Sequence, residues 1–212
     1  MHKITMYDFK QILTTNYLFH VHTDLTDGKW SIEDVCKFAS EQGFESVIFT
    51  EHIRTNPTYD YIKYAQEVLD MGSKYGLKRV LPGVEAKILP SGELDFPISL
   101  RDSVPVLCFA DHGLGSAGVE AYYDCLIKNF THGHWRTHIK VWVHPFRSIG
   151  DKMDIALMRS MAIVASKFGV LVEKPPIGND KYAHIFDGCE RIAGWDLHNK
   201  LANMKPLKEV LS

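Results

Sequence analysis

His20-Val21-His22, followed by Asp27-Gly28, places two imidazoles and a carboxylate where one cation could collect them. Histidines two apart on a strand project to the same face, so both can ligate a single ion. Tyr17, Leu18, Phe19 and Val21 read as a buried strand, and the segment from Asp24 to Gly28 as the turn that ends it. The pair therefore stands at the C-terminal end of a strand, where parallel α/β barrels build their active sites.

The same kind of ending recurs down the chain. Apolar, β-branched-rich runs are predicted at 17–23, 46–51, 79–88, 104–110, 139–144, 170–173 and 191–195. They finish in His20/His22, Glu51-His52, Gly83-Val84-Glu85, Asp111-His112, His144-Pro145, Glu173 and Asp196-Leu197-His198. Amphipathic segments separate the runs. Ser31 with Asp34 predicts a helix start, with Val35, Phe38 and Ala39 on its inner face and Gly43 as its stop. A second helix is expected over 61–75, with Ile62, Ala65, Val68 and Leu69 inward and Gly76 ending it. Further helices are expected over 117–130, 153–168, 181–189 and 205–211. Strand–helix alternation at this spacing implies parallel strands joined by right-handed crossovers. The expected fold is a single parallel barrel, a distorted (β/α)7 TIM-like fold, with 1–212 read as one domain. A doubly wound open sheet is the alternative, but no Gly-x-Gly-x-x-Gly follows the first run.

In a parallel barrel the strand ends converge on one mouth. The positions best placed to face it are His20, His22, Asp27, His52, Glu85, His112, His144, Asp196 and His198. Nine N and O donors exceed the need of one ion and suit two to three divalent transition-metal ions, with Glu85 able to bridge. A mixed imidazole/carboxylate set accepts Zn, Mn or Fe. Asp24 competes with Asp27, and Asp111 is a candidate for orienting His112 or another imidazole from behind. His132, His134 and His138 precede the fifth run, at the opposite end of the barrel, and read as surface or packing residues; His2 and His184 carry no spacing signal.

The ordered motifs resemble those of the PHP (polymerase and histidinol phosphatase) family of metal-dependent phosphoesterases, from Phe19 to His198. The family's His-x-His with Asp-Gly is matched by His20, His22 and Asp27-Gly28, its acid-His pair by Glu51-His52, and its Gly-x-Glu by Gly83-Val84-Glu85. Its His-Pro is matched by His144-Pro145, its closing Asp-x-His by Asp196-Leu197-His198, and its fourth-strand histidine by His112. Two departures sit near the mouth and bear on substrate rather than on metal chemistry. Glu173 runs into Lys174-Pro175-Pro176 where the family usually continues with an apolar residue and Asn, and Trp195 precedes Asp196 where a small residue is usual.

The resemblance implies phosphate-ester hydrolysis by a metal-activated water, with Asp196, His198 and Glu85 closest to the chemistry and a small-molecule phosphomonoester as the expected substrate. A phosphodiesterase or exonuclease on the same cluster is the nearest alternative. Amidohydrolases and TatD-type nucleases share the first motif but lack the early Asp-Gly, the acid-His pair and the final Asp-x-His. A non-catalytic metal-bound regulatory module would be supported by lost ligands, and none is lost. A phosphate needs cations beyond the metals: Arg54 and Lys87 lie two residues past His52 and Glu85, and Arg147 and Lys174 follow ligand strands. Net charge is −2 and the isoelectric point near 6.6, so no global field favours nucleic acid or an anionic membrane. The N-terminus lacks a signal-like apolar run, no stretch is long enough to span a bilayer, and the four cysteines lack framework spacing. A cytoplasmic location is the expectation.

Overall fold

The chain is described by a computed structural model covering residues 4–114, 118–131, 135, 138–148, 150–175 and 180–199. The expected helix over 205–211, like His2, His132 and His134, lies outside the described residues. Seven parallel strands, β1 (Tyr17–Val21), β2 (Ser46–Ile53), β3 (Arg79–Lys87), β4 (Val106–Ala110), β5 (Ile139–Trp142), β6 (Leu171–Lys174) and β7 (Arg191–Ala193), pair in chain order. Beyond β7, Leu197 bridges Val21 in parallel, and the N–H groups of His22 and Leu197 donate to Leu197 O and His20 O at 3.0 and 2.9 Å. The sheet thus curls until its last segment meets its first, giving a nearly closed barrel.

Alternation sorts the strand residues into two layers. Phe19, Ile48, Val106, Cys108, Val141, Leu171 and Ile192 fill the barrel. Leu18, Val47, Phe49, Leu107, Phe109, Trp142 and Val172 pack outward under the helices. Those helices are α2 (Ile32–Glu41), α3 (Tyr61–Lys74), α4 (Val119–Thr131) and α5 (Ile155–Lys167). Ser31 and Asp34 form the expected capping box at the start of α2, and Gly43 turns the chain beyond its end at φ 74°.

An additional helix, α1 (Met6–Leu13), precedes the barrel; Thr5 and Asp8 form its capping box. Its Phe9 and Ile12 are buried with the first inward residues of the strands, Tyr17, Val106 and Ile139, so α1 seals the end opposite the mouth. Phe9→Ala is expected to cost about 3–5 kcal/mol by opening a cavity in this floor. A drop of roughly 10 °C in thermal midpoint checks it; a drop under 2 °C would show that α1 is not a floor.

Two helix expectations are corrected. The segment 181–189 holds only one 3-10 turn, Ala183–Ile185, because Gly188 turns the chain at φ 84° and leaves too few residues for a stable α-helix. Ile62 is exposed: Tyr61 and Tyr64 face β3 instead, donating to Pro82 O at 2.8 Å and Gly83 O at 3.0 Å. The inner stripe of α3 is therefore Tyr61, Tyr64, Ala65 and Val68. Among the described residues, no helix is long and apolar enough to cross a membrane.

Candidate metal centre

All nine candidate ligands meet at the C-terminal mouth. They fall into four overlapping groups: His22, Asp27, His52 and His198; His20, His22 and Asp196; His20, Glu85 and His144; and His52, Glu85 and His112. Glu85 is the hub. Its carboxylate lies 2.7 Å from His144 Nε2, 2.9 Å from His52 Nδ1, 3.1 Å from His112 Nε2, 3.4 Å from His22 Nε2 and 3.6 Å from His20 Nε2. Asp27 spans His52 and His198 at 3.2 and 3.3 Å, and Asp196 Oδ1 lies 3.4 Å from His20 and 3.8 Å from His22.

The backbone reaches this arrangement by breaking regular strand geometry. Tyr17 and Phe19 point into the barrel, so strict alternation would send His20 and His22 outward. The β1–β2 register slips between Phe19 and Val21, and His20 takes φ 66°; this bulge turns both histidines inward. His144 (φ 29°) and Asp196 (φ 46°) are likewise in the left-handed region, where non-glycine residues are strained. Gly28 is needed because a Cβ there would sit 2.3 Å from His22 O.

Two carboxylates outside the nine hold the ligands. Glu173 accepts from His20 Nδ1 and from the His144 N–H, both at 2.5 Å, and is buried. Fixing Nδ1 this way leaves Nε2 of His20 turned to the cluster, the arrangement by which outer carboxylates orient ligating imidazoles. Glu173 was visible in sequence as one more strand-end acid, without an assigned part. Glu51 accepts from the Thr23 N–H and hydroxyl and from the Thr26 hydroxyl, bracing the turn that carries Asp27. Asp111, a candidate for orienting an imidazole, meets none among the described residues; it accepts from the Ser148 N–H and hydroxyl, pinning the loop after β5.

The electrostatics fit cations. Burial raises the proton affinity of Glu85, yet the surrounding imidazoles of His112, His144, His20 and His52 outweigh it and hold the group well below the usual carboxylate range. Burial opposes a proton on His20, but Glu173 and Glu85 outweigh it and push its pKa well up. Asp196, against its burial, is held low by His20 and Arg147. Buried His22, by contrast, is pushed well below the ordinary histidine value. Neutral and unprotonated, it is ready to ligate. His20 Nε2, His22 Nε2 and Glu85 Oε2 are buried without a hydrogen-bond partner, an expensive arrangement that divalent ions would satisfy.

The remaining candidates lie around this centre. Asp24 is exposed and joins none of the four groups. His138 is buried at the far end against Trp135 and the Arg101 carbonyl, and His184 is exposed. Arg54 falls just past β2 and turns toward the Ile53 carbonyl and Asp95. Lys87 ends β3 with no ion pair among the described residues. Arg147 binds Asp196 Oδ2 at 2.5 Å. Lys174 ends β6 and is exposed. Arg147 and Lys174 line a cleft of about 550 Å³ that opens onto His144 and Asp196.

Fold and site together define a seven-stranded parallel barrel with a cluster of candidate metal ligands at its mouth. The chain belongs to the PHP domain family, whose family model matches residues 19–136. A DNA polymerase/3'-5' exonuclease PolX of Bacillus subtilis (strain 168) is 22% identical over 154 residues, covering 68% of this chain. The chain spans about a quarter (26%) of that relative's length. The crystal structure of histidinol phosphate phosphatase from Lactococcus lactis subsp. lactis Il1403, complexed with Zn, L-histidinol and phosphate, superposes with a TM-score of 0.59. It covers 87% of each chain at 12% identity, a likeness of fold.

Proposed function

We propose that this chain hydrolyses small-molecule phosphomonoesters using two to three divalent ions, Zn, Mn or Fe, held by His20, His22, Asp27, His52, Glu85, His112, His144, Asp196 and His198. The carrying observation is the convergence of these nine donors in four overlapping groups, two of which share the carboxylate of Glu85. Bound divalent ions supply an acidified water as nucleophile and positive charge against the phosphoryl oxygens. Glu85 serves as the shared carboxylate, and Asp27 and His198 close the solvent side. Asp196 faces His20 and His22 with one oxygen and fixes Arg147 with the other, so one guanidinium edge is held where phosphoryl oxygens would lie. Arg54 and Lys87 complete the cationic rim.

A cleft of about 550 Å³ suits a small leaving group, and the near-neutral charge supports the same reading. The likeness to a polymerase/exonuclease keeps diester hydrolysis as the second reading. Metal-reconstituted protein assayed on matched aryl phosphomonoester and phosphodiester substrates separates the two. A monoester preference is expected, with Arg54→Met and Lys87→Met each lowering monoester kcat/KM roughly 10-fold and affecting the diester less. A wild-type preference for the diester overturns the monoester reading, and equal small effects on both substrates place these cations outside the site.

A further inference from the structure

We propose that the cleft beside the metal centre selects phosphomonoesters whose alcohol portion is flat and apolar and carries an anionic group of its own, with Lys174 as the counter-charge. This rests on the phosphomonoesterase reading above. The cleft begins at the reaction centre, where His144 and Asp196 form its inner wall, so whatever is esterified to the phosphate must extend into it. Its sides include Pro145, Pro175 and Trp195, which offer rigid apolar surface to a ring or similar planar group.

The charges on the lining decide what else that group must carry. Each acid on the lining is already matched. Glu173 is committed to His20 and the His144 N–H. Asp180 is held by Arg191 at 2.5 Å, and Asp196 by Arg147. On the cationic side, Arg147 is paired with Asp196, and Lys181, also on the lining, is paired with Asp151 and lies over the Tyr182 ring. Lys174 alone among these has no ion pair among the described residues. The unmatched charge is therefore positive, and a carboxylate or second phosphate gains a partner there that an amine would not. An ammonium group entering the same cleft would meet Lys174 with no free acid to offset it. Lys174 and Trp195 are two of the residues at which the chain departs from the family pattern, and both line this cleft.

Three substrates with the same ring and scissile bond test the idea: phenyl phosphate, 4-carboxyphenyl phosphate and 4-(aminomethyl)phenyl phosphate, given to the metal-reconstituted protein. The carboxylate is expected to exceed the amine in kcat/KM by about 10-fold or more, carried mainly in KM, as befits one charged contact. Lys174→Met should bring that ratio close to one, and Lys174→Glu should invert it. The exposed position of Lys174 predicts unchanged thermal midpoints for both variants, so a shifted ratio cannot be ascribed to misfolding. Hydrolysis of all three with a wild-type ratio near one, or a ratio indifferent to Lys174→Glu, overturns the inference alone. No hydrolysis of any of the three, with a diester still cleaved, overturns the monoesterase reading and the inference with it.

Discussion

Replacing Glu85 by Gln is expected to empty much of the metal centre and lower turnover by at least ~100-fold while the barrel stays folded. The side chain is 1% exposed and meets five imidazoles, so its charge serves two of the four ligand groups directly and borders the others through His20, His22 and His52. Gln keeps the volume and one acceptor oxygen, but it removes the negative charge and turns an N–H₂ donor toward ring nitrogens that should carry ions. Elemental analysis after reconstitution should show substoichiometric metal. The metal-free variant should melt close to the metal-free wild type, because packing around the position is preserved. Full metal content with turnover within threefold of wild type would show that Glu85 is not the shared ligand.

That hub was legible in the sequence for a physical reason. Parallel strands must deliver their C-terminal ends to one mouth, so chemistry-bearing residues at run ends are brought together whatever the loops do. The run boundaries came out nearly as expected; β2, for example, extends only from Glu51 to Ile53 beyond its predicted end. The backbone manoeuvre that aims the ligands was not legible. Simple alternation accounts for His52 on β2 and Glu85 on β3, which are register partners, but not for His20, which depends on a bulge. A bulge leaves no mark in residue type when the bulged position is not glycine. The floor helix α1 was missed although Thr5-x-x-Asp8 announces its start, because its eight residues are too short for periodicity to stand out. The rim cations were harder still. Arg54 and Arg147 follow the strands at the expected places, yet which acid each one finds depends on loop geometry that strand parity cannot reach: Asp95 for one, Asp196 for the other.

Glu173 is where the structure adds most to the site, and Gly194 gives an independent way to test it. A Cβ on Gly194 would lie 1.8 Å from Glu173 Oε1, so Gly194→Ala must push that carboxylate off both His20 and the His144 N–H. Losing such an outer carboxylate costs about 10–100-fold in metal affinity. Gly194→Ala and Glu173→Ala are each expected to show a loss of that size. The two should not add. Once Glu173 is shortened to Ala, the clash that makes the 194 substitution harmful is gone, and the double variant should bind metal no worse than Glu173→Ala alone. Titration of each metal-free variant with Zn or Mn, followed by competition with a chelator of known affinity, reads this directly and needs no substrate. Additive losses would mean that Gly194 acts on the centre by some other path, and full affinity in Glu173→Ala would mean that His20 needs no orienting acid. Sub-additive losses would tie the glycine to the imidazole through a single buried carboxylate, making Glu173 a positioning residue of the metal centre.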